Sequence, residues 1–528
     1  MRPSPDILAF GMEASQEMTC PRLRNVPGSA DSLVRFVVGR AEDPQPLDTA
    51  AIAELGDPLA RHLFAKGVFP ETAEDVTDVL DAALPEDDRL RAQMTFVVGE
   101  RSQLPEGITA AARPGIRAFL VTRGNGLEGP DVIVSAIGAP SNEFVEVLAW
   151  DETSGGFNYY TTDPDAPWVF AGNSADALAE DTSGLGPFES HPSGNPIMKE
   201  LRRPWVHWES IDESVSERGV PPEVASHRWF EDKRGAEILE TQAMIPAIER
   251  WNRVRLDRAV EGGEVRGLRT LMRSFLGTPT VNLASSLSES DQVIDAGEDF
   301  QIPAAFLVNV HCLNGVIGLP QPEDSQLRIS GPAYREVLAD SGVTLREDGT
   351  ALVDPPRDTH FVFVVPEPAF EDTDIVKKVV EAGVLSKQVA ACLLMVDFPN
   401  PVFSERREAL LEHIPDSAPA DALSDTIANA ITQAPEAAEE DTPEREFAEL
   451  LAAGGDFEAE FSKLLTDYYA SASAGLSQTD RLGEFVRLAE SRRERTRSMF
   501  IVESELVFAK PAVPVPPGLR MARDGSIG

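Results

Sequence analysis

The sequence predicts an α+β protein: an antiparallel β-meander packed against helices, with a C-terminal helical region. Three observations lead there. Six short segments rich in β-branched or aromatic residues (94–98, 116–122, 132–137, 144–150, 156–161 and 168–171) follow one another with only turns between them, and such spacing favours antiparallel neighbours over βαβ units. Apolar residues recur at helical spacing over 72–84, 233–260 and 372–396. Two more amphipathic runs, 444–469 and 479–497, follow an acidic stretch near the end of the chain.

In order, residues 1–90 form an irregular and helical segment, with one strand expected at 33–38. Thr72 and Asp75 make a capping-box pattern ahead of Val76, Val79, Leu80 and Ala83, and Pro85 stops that helix. The β-rich region spans 91–175, with G-N-G, A-P-S-N and T-S-G-G as its turns. A His/Trp-rich helical region follows at 176–277, ending in the run 233–260, which Pro246 should kink. Residues 278–433 mix α and β, with strands expected at 280–285, 304–310 and 361–365. Residues 434–446, A-P-E-A-A-E-E-D-T-P-E-R-E, are expected to be an exposed acidic linker. Helices, a strand at 501–508 and a Pro-rich tail fill 447–528, with 521–528 expected to be loose.

A chain of 528 residues is too long for one core, so two or three domains are expected. The balance of 88 acidic against 47 basic residues gives a net charge of −41, which repels nucleic acid and anionic membranes. The longest apolar run, 389–396, is too short to span a bilayer. Cys20, Cys312 and Cys392 are odd in number and widely spaced, which fits reduced thiols in the cytoplasm. The oligomeric state is not readable from the sequence.

Gly124, Gly126 and Gly129 match the dinucleotide fingerprint letter for letter. The fingerprint binds pyrophosphate because a helix N-terminus follows it. Here Pro130 and the strand-like D-V-I-V-S follow, so a hairpin turn is expected and no nucleotide cofactor.

The candidate site lies in the His/Trp-rich region, which concentrates scarce side chains. His191, His207 and His227, with Glu200 and Glu231, are a donor set that suits Fe, Mn or Zn. Glu223, His227 and Glu231 share a face if one helix carries them. Trp205, Trp208, Trp229 and Trp251 would line a pocket for an apolar or amphipathic small molecule. Arg255 and Arg258, one turn apart, would hold its anionic group. Together these suggest a metal-dependent, non-haem oxidoreductase. The same residues also fit an aromatic core in which each imidazole anchors a backbone carbonyl. The rival function is a non-catalytic binding or assembly protein that uses its acidic surface.

Overall fold

The β-branched and aromatic segments form the strands that their spacing predicts. In the computed structural model, the described residues are 26, 28–99, 116–141, 144–163, 166–198, 208–211, 214–215, 220–282, 293–294, 299–322, 327–341, 358–359, 361–363, 365–497 and 514–528. They divide into two units, one taking those up to Met198 and from Trp208 to Val254, the other those from Arg255 onward.

The first unit is built on an eight-stranded sheet: β1 (Leu33–Arg35), β2 (Gln45–Pro46), β3 (Gln93–Gly99), β4 (Ile116–Arg123), β5 (Val132–Ile137), β6 (Val145–Asp151), β7 (Gly156–Thr162) and β8 (Trp168–Asn173). Their order is β2-β1-β8-β7-β6-β5-β4-β3. From β3 to β8 this is the predicted antiparallel meander, with Phe119 opposite Ala136 and Trp150 opposite Phe157. The start of the chain departs from it: β1 lies parallel to β8, Leu33 opposite Trp168. The period of two sends successive side chains to opposite faces. Phe119, Val121, Val134, Val147 and Tyr160 enter one core, and Trp150, Phe157, Tyr159 and Ala171 enter the other.

Helices cover the Tyr160 face. One is Ala73–Ala83, whose N-terminus Thr72 caps by accepting a hydrogen bond from the Asp75 amide, as its sequence pattern predicts. Another is Pro58–His62, capped by Asp57. That carboxylate is wholly buried and also accepts from Asn158 Nδ2 (2.8 Å) and the Tyr160 hydroxyl (2.6 Å), which ties the helix to β7. Gly124, Gly126 and Gly129 form the turn between β4 and β5, as expected. Gly129 has φ +83°, and a Cβ there would stand 2.7 Å from the Ala247 amide nitrogen. The turn can therefore lie directly on a helix backbone.

The run 233–260 was expected as one kinked helix. It is three pieces: α-helix Ala236–Leu239, a π-helical turn Glu240–Met244 and α-helix Ile245–Ala259. Pro246 supplies no N–H to a helical ladder, and the wider turn just before it absorbs the misfit.

The second unit is mainly helical. The expected helix 372–396 is two helices, Phe370–Glu381 and Lys387–Met395, parted at Gly383 (φ +68°). The expected strand 304–310 is instead a 3-10 turn at Ala304–Phe306, followed by a π-helix, His311–Val316. Phe361–Phe363, also expected as strand, is a 3-10 turn. An apolar run buried on all sides carries no period that separates these conformations. Of 280–285, only Val281–Asn282 is described as strand, paired with Glu367–Pro368. The acidic stretch 434–446 is mostly exposed, but it lies inside this unit: Pro435–Ala438 makes a 3-10 turn and Pro443 opens the helix Pro443–Leu451. Phe457–Leu476 and Thr479–Arg497 complete the helical layer. Among the described residues no helix is long and apolar enough to cross a membrane. The expected strand 501–508 lies outside the described residues.

Candidate functional site

The two described histidines of the candidate donor set are each engaged locally. His191 follows the 3-10 turn Gly186–Glu189, and its Nδ1 donates to the Asn195 carbonyl at 2.8 Å. Its ring packs against Tyr159, centroids 5.3 Å apart. His227 caps the short helix Arg228–Glu231: its Nδ1 accepts from the Trp229 amide at 3.1 Å. That assigns the proton to Nε2, which lies 3.1 Å from Glu74 Oε1. Tyr159 and Trp229 belong to the cores on opposite faces of the sheet, so the two imidazoles do not share a cavity. His207 and Glu200 lie outside the described residues. Glu231 is exposed, and the expected single face of Glu223, His227 and Glu231 is broken, because Pro222–Ala225 and Arg228–Glu231 are separate helices. Among the described residues no three His, Cys, Asp or Glu side chains could hold one metal ion.

The described tryptophans are buried rather than lining one pocket. Trp229 packs on Phe119, centroids 6.2 Å apart. Trp251 sits in the opposite core and donates from Nε1 to the Ser193 carbonyl at 2.9 Å. Trp208 makes a bridge to Val98 at the β3 edge. Trp205 lies outside the described residues. The expected arginine clamp also divides. Arg255 is buried, its Nη2 donating to the Thr270 carbonyl at 3.2 Å, whereas Arg258 is exposed. Burial pushes the Arg255 guanidinium down to about 10, against the pull of Asp372. Upstream, Arg250 pairs with Asp131 (3.1 Å) and Glu152 (3.0 Å) while stacking on Trp150, and Arg253 pairs with Glu128.

The second unit holds a small cavity lined by Ser274, Asn309, Cys312, Asp372, Thr373 and Arg407. Burial pushes the Cys312 thiol up to about 11, so it is held as thiol rather than as the nucleophilic thiolate. Burial likewise pushes the Asp372 carboxyl up to about 6, although the Thr280 amide, Arg255 and the Ser274 hydroxyl all favour its anion. Arg407 is occupied with main chain, donating from Nη2 to the carbonyls of Asn400 (3.4 Å) and Pro401 (3.2 Å).

What the second unit does present outward is charge. Residues 408–467 hold sixteen Asp and Glu against Arg445 and Lys463 alone. The helices there turn Leu423, Ile427, Ile431, Phe447, Leu450, Phe461 and Leu465 into the core. Fourteen of the sixteen carboxylate residues are consequently exposed; Glu444 is buried and Glu446 half-buried. Reasoning from scarce residue types pointed to histidine and tryptophan. The local ratio of acid to base was the signal that would have led here. No family model, curated protein or solved structure matches the chain.

Proposed function

We propose that the protein is a non-catalytic binding or assembly protein whose second unit takes a cationic partner on its acidic helical surface. One observation carries this: fourteen exposed carboxylates against two bases over 408–467, on helices whose apolar faces are already buried and on the turns that join them. Such a surface attracts an oppositely charged partner over a distance set by the Debye length, about 8 Å at physiological salt. The metal-dependent oxidoreductase gains no assembled donor set from the described histidines, whose rings pack on opposite faces of the sheet.

The test is binding of a fluorescent oligoarginine peptide to the full chain. Affinity should fall steeply with added salt. Neutralising Glu436, Glu439, Glu440 and Asp441 to their amides should weaken it several-fold. The same treatment of Glu42, Asp43, Glu86 and Asp87, exposed on the first unit, should leave it unchanged. Equal effects of the two sets would sink the proposal, because binding would then follow total charge alone.

A further inference from the structure

The chain's last residues, expected to be loose, are instead a closed and docked element. Arg520 and Gly528 exchange backbone hydrogen bonds of 2.9 and 3.0 Å, and the Ala522 amide donates to the Ser526 carbonyl at 2.8 Å. These bonds close the hairpin on itself. Among the described residues, what holds it to the second unit is side chains.

Asn400 reads both backbone groups of Met521: its Oδ1 accepts from the Met521 amide and its Nδ2 donates to the Met521 carbonyl, each at 3.0 Å. Asp397 takes Arg520 at 2.7 Å, and Glu446 takes Arg523 at 2.6 Å. The Met521 side chain is buried, its sulfur 2.9 Å from the Tyr468 hydroxyl. Ser491 Oγ accepts from the Leu519 amide at 2.9 Å and donates to the Pro516 carbonyl at 2.6 Å.

The receiving loop, D-F-P-N-P at 397–401, is fixed independently of the hairpin. Its carbonyls at Pro399, Asn400 and Pro401 are taken by Arg492 and Arg407. Asp397 is held at φ +52°, which a non-glycine residue rarely adopts, by bonds from Ser404 Oγ (2.6 Å) and Asn400 Nδ2 (2.8 Å). Together with Glu446 and Tyr468 on the neighbouring helices, this rigid loop reads one residue's backbone with a carboxamide, two arginines with carboxylates and a thioether with a hydroxyl, the parts of a preorganised peptide site.

We propose that this surface is a peptide-binding site for an Arg-Met-X-Arg segment. Residues 520–523 fill it in cis, and the same segment supplied by another chain fills it in trans. The proposal rests on reading the protein as a binding protein and gives that reading a sequence-specific ligand.

The probe is a fluorescent synthetic peptide of residues 514–528. In the full chain, Arg520→Glu, Met521→Asp and Arg523→Glu together expel the tail. That variant should bind the peptide, and the unaltered chain should bind it at least about tenfold more weakly, because its own tail competes. Adding Asn400→Ala to the variant should cost on the order of tenfold or more, the loss of two hydrogen bonds. A variant that keeps its circular dichroism and does not take the peptide overturns the proposal. So does one that loses its fold without recovering it in excess peptide, since the tail is then plain core. Peptide binding indifferent to Asn400 also overturns this site, yet leaves oligoarginine binding to the acidic surface standing. The two ideas therefore fail separately.

Discussion

Asp372 shows how a single buried group sets a pH dependence. Its carboxyl accepts from the Thr280 amide at 2.8 Å, yet burial still raises it from its ordinary value to about 6. The folded state therefore binds this proton more tightly than the unfolded one. The contribution to stability is full below about pH 4, falls as pH rises to about 6 and is level beyond. A shift of about two units corresponds to roughly 3 kcal/mol. Asp372→Asn cannot ionise, so its stability relative to the parent should improve by about that amount between pH 4 and pH 7. Urea denaturation of both proteins at the two pH values measures it, and a gap that does not move with pH would refute the assignment. Nothing in the sequence marks this residue: D-T-D at 372–374 reads as a helix N-terminus that favours carboxylates, and only the fold places Arg255 and Thr280 around it. His191 and His227 fail in the opposite way. Their scarcity was legible, but the sheet between Tyr159 and Trp229 separates what the sequence sets close together.

Elements were most legible where a local rule decides them. β-branched and aromatic segments parted only by turn residues gave the strands from β3 to β8, because that composition and spacing mark strand and turn whatever lies around them. Thr72 and Asp75 gave a helix start for the same reason. The Thr72 hydroxyl accepts from the Asp75 amide at 3.1 Å and donates to its carboxylate at 2.7 Å. Thr72→Ala should therefore cost about 1 kcal/mol in denaturant unfolding, and Thr72→Ser should recover most of it. A loss no larger than experimental scatter would mean that the cap contributes nothing. Elements were misread where local rules are silent. Pro246 announces a break, but a proline says nothing about whether the preceding turn is α or π. The parallel pairing of β1 with β8 joins residues more than 130 positions apart, and no short-range pattern encodes it.

For the whole molecule, the α+β class followed from element order, and the acidity was plain from a net charge of −41. The cluster of exposed carboxylates over 408–467 needed the structure, because exposure decides which carboxylates a partner meets. The docking of 514–528 was hidden too: Asn400 and Met521 are 121 residues apart, and a Pro-rich approach reads as an unattached tail. The tryptophans segregate in turn. All five that are described, Trp150, Trp168, Trp208, Trp229 and Trp251, belong to the first unit, whereas the long helices Phe457–Leu476 and Thr479–Arg497 belong to the second. The chain thus carries its own optical labels. Indole emission is weighted toward the β-rich unit, which holds these five of the six tryptophans, and far-ultraviolet ellipticity toward the helical one. Followed together through a denaturant titration, the two signals should not superimpose, as expected of units with separate cores. Superimposed curves would mean that light emitted by one unit goes dark only when the other loses its helices.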